Sequence, residues 1–128
     1  MNKRAGIWID HKQAFIVIVG EGTEESRRTD SDMEKHVRYS GHAASQEGSA
    51  DDQRDRQFAA HLATYYDQVI AQVHDAQSIF IFGPGEAKGE FQKRLAAKGL
   101  GAKVVGVETV DKMSEHQIAA KVRQHYQK

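Results

Sequence analysis

The chain of 128 residues has no cysteine, which excludes disulfide frameworks, thiolate zinc sites and cysteine nucleophiles. It has a single proline, Pro84, so the turn that holds it is a specified feature rather than one loop among many. Net charge is also missing, since Lys plus Arg and Asp plus Glu both number 18. The whole chain is therefore no general polyanion binder. The balance is uneven, however: residues after Gly85 are rich in lysine and the segment from Glu21 to Asp55 is rich in acids. No apolar run approaches the roughly 20 residues a membrane helix needs. Met1-Asn2-Lys3-Arg4 leads straight into a strand pattern with no small-residue cleavage site behind it. The expectation is a soluble cytoplasmic protein with no membrane contact. By size it is one domain, residues 1–128, large enough to bury a core without disulfides or metals.

Hydrophobic patterning orders the elements. Ala5 to Ile9 and Ala14 to Val19 read as two strands of a hairpin joined by Asp10-His11-Lys12-Gln13. The second run is apolar on both faces, which suits a sheet covered by helices. Gly20 to Met33 is polar without periodicity and reads as an exposed hairpin loop. Glu34 to Tyr39 reads as a third strand near an edge, with Lys35 and Arg38 pointing outward. Ser40 to Asp52 is small, polar and glycine-containing, the pattern of a mobile loop. From about Asp51, Phe58, Leu62, Tyr65, Tyr66, Val69, Ile70 and Val73 recur on one helical face.

Ser78 to Phe82 is a short aromatic-rich run expected to be the buried central strand. A helix follows from about Gly85 to Lys98, burying Ala87, Phe91 and Leu95 and ending at Gly99. Lys103 to Val107 is a fifth strand. Ser114 and Gln117 fit a capping box, opening a last helix with Ile118, Val122 and Tyr126 inward. The order β-β-β-α-β-α-β-α predicts an α/β domain with a mixed five-stranded sheet and three helices, the arrangement of the ribonuclease H-like fold.

Gly83-Pro84-Gly85 joins the buried strand to the next helix. Backbone amides near Gly85 to Lys88, with a lysine on the first turn, favour an anion. In an open sheet the favoured crevice lies beyond the carboxyl ends of the strands, where strand order reverses. The candidate RNA- or anion-binding residues are accordingly Gly83, Gly85, Lys88 and Asp10, with Arg94 and Lys112 extending the positive patch. Walker-type glycine spacing and its Lys-Ser/Thr pair are absent, so nucleotide hydrolysis is not supported.

Gly83-Pro84-Gly85-x-x-Lys88-x-Glu90-Phe91 resembles the turn in the middle domain of the archaeal and eukaryotic class I peptide-release factors and Pelota. Glu86 stands where that family usually has an aromatic residue. Ile7-Trp8-Ile9-Asp10 followed by Ala14 also resembles that domain's opening hairpin. The chain looks most similar to bacterial relatives often labelled translational-machinery or host-attachment proteins. The resemblance implies a ribosome or tRNA as partner. In the release factors, the loop before the long helix carries a Gly-Gly-Gln tripeptide that triggers peptidyl-tRNA hydrolysis. The matching loop, Ser40 to Gln53, has none: Ser45 precedes Gln46 and Asp52 precedes Gln53. A non-catalytic module of the translation machinery, with no cofactor, is the leading expectation.

Two other classes stay open at this point. One is an enzyme, either a hydrolase on peptidyl-tRNA or a metal-dependent nuclease using Asp10. Two-metal chemistry needs several converging carboxylates, and Asp10 also suits the simpler role of shaping a turn. The other is a protein-interaction module working through the acidic loops. None of the 7 histidines forms a metal-spaced pair on one helix, and His61 and His74 read as polar-face residues. Tyr65 and Tyr66 read as core rather than base-stacking residues.

Overall fold

The computed structural model describes residues 3–31 and 50–126, with side chains from residue 59 onward in the second segment. The elements are β1 (Arg4–Ile9), β2 (Gln13–Gly20), β3 (Thr23–Asp30), α1 (Ala50–Val73), β4 (Ser78–Gly83), α2 (Ala87–Ala97), a short 3-10 turn (Gly101–Lys103), β5 (Val104–Thr109) and α3 (Glu115–Tyr126). They build one mixed sheet in the order β3-β2-β1-β4-β5. β1 pairs antiparallel with β2 and parallel with β4, while β4 pairs parallel with β5. Among the described residues, the expected α/β, ribonuclease H-like order of five strands and three helices is the one observed.

The strand alternation sorts residues onto the two faces. Ile7, Ile9, Ile79 and Ile81 face α1 and α2, packing with Tyr65, Tyr66, Val69, Phe91 and Leu95. Trp8, Phe80 and Phe82 face the other way, against Ile118 and Val122 of α3. Both faces of β1 and β4 are thus covered, which is why their sequences are continuously apolar. α3 comes close because β1 has glycine at position 6, where a Cβ would run into the Val122 methyls.

Helix ends follow the local chemistry. The Ser114 amide donates to Gln117 Oε1 at 2.9 Å and the Gln117 amide to Ser114 Oγ at 3.2 Å, the capping box expected at α3. α2 ends in a Schellman motif, with Leu100 N–H donating to the Leu95 carbonyl and Gly99 N–H to that of Ala96.

The third strand is the main correction. β3 runs from Thr23 to Asp30 inside the segment read as an exposed loop, paired with β2 residue by residue from Gln13↔Asp30 to Gly20↔Thr23. Its polarity misled because β3 is an edge strand, exposed almost throughout, and has little apolar surface to bury. The signal lay in the two-residue Glu21-Gly22 connection, a hairpin turn. Glu34 to Tyr39, read as the third strand, lies outside the described residues, as do Ser40 to Ser49 and the Phe58 side chain.

Both sheet edges discourage further pairing. β3 alternates paired charges along its length, Arg27 with Glu25 and Arg28 with Asp30. β5 carries a register shift opposite Ile79 and Phe80, leaving Val105 without a partner on β4.

Candidate functional site

Strand order reverses between β1 and β4. From β1 the chain proceeds outward to β2 and β3, then crosses to β4 and β5 on the other side. The carboxyl ends of β1, β4 and β5 therefore share one end of the sheet. The turn after Ile9, the Gly83-Pro84-Gly85 turn and the connection from Val110 to Ser114 all border the crevice there.

The Gly-Pro-Gly turn is specified by two different constraints. At Gly83 (φ 155°) a Cβ would collide with the carbonyl oxygen of Ile9, so the ends of β1 and β4 meet backbone to backbone. Gly85 (φ 65°) lies in the left-handed region with open space around it, so its requirement is purely conformational. The Gly83 carbonyl also accepts the Val110 amide at 3.1 Å, tying the β5–α3 connection to the turn. α2 then begins at Ala87, so its amino terminus adjoins the turn. Lys88 folds back so that its ammonium donates to the Gly85 carbonyl, placing the charge on the turn itself.

Asp10 is held in the β1–β2 turn. Its Oδ1 accepts the amides of Lys12 and Gln13, each at 2.8 Å, an Asx arrangement that closes the hairpin. Asp10→Ala is expected to lower stability by about 1.5–3 kcal/mol, the range for hydrogen bonds to a charged acceptor. Urea unfolding measures this, and an unchanged midpoint would contradict the turn role. Among the described residues, no group of three or more His, Asp or Glu side chains is placed to hold a metal ion.

The other two predicted cations separate. Lys112 is exposed on the β5–α3 connection, at the crevice end. Arg94 sits in the last turn of α2 and makes a bidentate pair with Asp67 of α1, at 2.8 Å from each nitrogen. That pair joins two helices and directs the guanidinium to Asp67. The hydrogen bonds from Arg94 hold the Asp67 carboxyl below the usual carboxylate range, although both groups remain solvent-exposed. A lowered folded value means the pair stabilises at neutral pH and weakens as pH falls through that value. Arg94→Gln should flatten this acid arm of the stability profile, and the wild-type difference should shrink in high salt. An unchanged profile from pH 7 to pH 3 would contradict it.

Several features of this end were missed in the sequence. Lys12, exposed on the β1–β2 turn, adds a cation at the same sheet end. Glu90 on α2 joins two other elements: its Oε1 accepts the Tyr66 hydroxyl of α1 at 2.7 Å and lies 3.0 Å from His11 Nε2. The neighbouring Tyr65 hydroxyl donates to the Asp10 carbonyl at 3.0 Å. Burial pushes both phenols well above their ordinary range, with Asp10 adding to the effect at Tyr65 and Glu90 at Tyr66. Both hydroxyls therefore remain protonated donors. His61, expected on the polar face, is instead half-buried with Nε2 against the Ser31 carbonyl. Ser31 in turn donates its hydroxyl to the His11 carbonyl at 2.6 Å. One stretch of α1 thus latches the segments that follow β1, β3 and β4. From His61 back to Ala50 the helix runs on for about 16 Å, at 1.5 Å per residue.

The sequence signal for these contacts was faint. Tyr65 and Tyr66 have the right spacing for a core face, and their rings do lie in the core. Only the docking of α1 shows that the hydroxyls emerge at the sheet end.

No protein-family model and no curated protein matches the chain. Solved structures do. The Pelota protein of Thermoplasma acidophilum matches with TM-score 0.64 and 17% identity, over 96% of this chain and 32% of that one. Archaeoglobus fulgidus Pelota matches with TM-score 0.58 and 12% identity, over 97% and 31%. An archaeal translation termination factor matches with TM-score 0.52 and 14% identity, over 94% and 37%. The chain spans about a third of the length of these proteins. Its fold is that of a Pelota- and termination-factor-like domain.

Proposed function

We propose that this chain is a non-catalytic RNA- or ribosome-associated module of the translation machinery, of the kind found among bacterial single-domain relatives of the release factors. The observation that carries the reading is the fold, shared over nearly the whole chain with two Pelota proteins and a translation termination factor. The contact surface in this reading is the carboxyl end of the sheet. Lys12 and Lys112 lie on two of the segments that border it, and Lys88, on the first turn at the amino terminus of α2, donates its ammonium to the third at the Gly85 carbonyl. Lysine ammonium groups and helix-terminal amides suit phosphate oxygens. Glu90 adds a negative charge near that terminus, but Tyr66 and His11 hold its carboxylate.

Ribosome co-sedimentation at two salt concentrations tests the proposal. Wild-type protein should pellet at low salt and dissociate steeply as salt rises, because phosphate contacts release counterions. Lys88→Glu should weaken pelleting and reduce the logarithmic salt slope by about one for the lost phosphate contact. Arg94→Gln should leave pelleting unchanged, since that guanidinium is engaged with Asp67. Failure of the wild type to pellet at low salt would overturn the proposal.

A further inference from the structure

No further inference is drawn: the strongest candidate, the groove of about 390 Å³ between β3 and α3 lined by Phe15, Val17 and Ile118 and bridged by the Glu24–Arg123 pair, has nothing in the structure to show what covers it.

Discussion

Gly83→Ala is expected to destabilise the protein by about 2–3 kcal/mol, near the top of the usual range for overpacking. The added Cβ would meet the carbonyl oxygen of Ile9, with the Ile9 amide close behind. These are backbone atoms of the central strand, which is hydrogen-bonded on both sides, so they cannot swing away as a side chain would. The backbone at Gly83 also has positive φ, which adds to the cost. For a domain of this size, the melting temperature should fall by about 10 °C. Gly85→Ala is the matched comparison. It has φ of 65° but nothing within 4 Å of the new Cβ, so only the left-handed penalty of about 1 kcal/mol applies. Thermal or urea unfolding of the two variants side by side separates close approach from conformational preference. Equal losses would show that the ends of β1 and β4 do not touch as described.

Phe91→Ala should cost more, about 3–5 kcal/mol, the range for removing a buried phenylalanine. Phe91 is fully buried, beneath α2 and against the isoleucine face of the sheet. Its ring meets the edge of Tyr66 with centroids 5.9 Å apart and planes at 65°. The cavity left behind would open beside Tyr66, whose hydroxyl holds Glu90. The loss should therefore loosen the α1–α2 contact at the sheet end as well as lower global stability. Urea unfolding measures the first effect globally, and amide exchange along α2 reports the second locally. A loss below about 1 kcal/mol is the outcome that contradicts it, because a ring free to leave the core without a cavity costs little.

Both residues belong to the stretch that was most legible in the sequence. A lone proline between two glycines, an apolar run before it and a Lys and Phe at helical spacing after it already describe a strand, a turn and a docked helix. The apolar stripes of α1, α2 and α3 were legible for the same reason. Periodicity is a direct imprint of burial, so residues such as Val69, Leu95 and Val122 announce their face. β3 was not legible, because an exposed edge strand is held by backbone hydrogen bonds that any side chain allows. Thr23 to Asp30 consequently carries the composition of a loop while forming a full ladder with β2.

The candidate site divides along the same line. The sequence by itself determined that Asp10, Gly83, Gly85 and Lys112 fall in connections after strands and Lys88 on the helix turn that follows one, and the parallel order of those strands implies a common end. It could not determine what each charge would face, since that depends on how helices dock. Arg94 and Lys88 are both cations of α2. Asp67, on a separate helix 27 residues earlier in sequence, captured Arg94, while the turn carbonyl of Gly85 captured Lys88. Tertiary packing likewise turned two core tyrosines into donors at the crevice and set Glu90 between Tyr66 and His11. Local pattern decides which residues are buried, because burial repeats with the period of the element. Partner choice among polar groups has no such period and is decided only when the chain closes on itself.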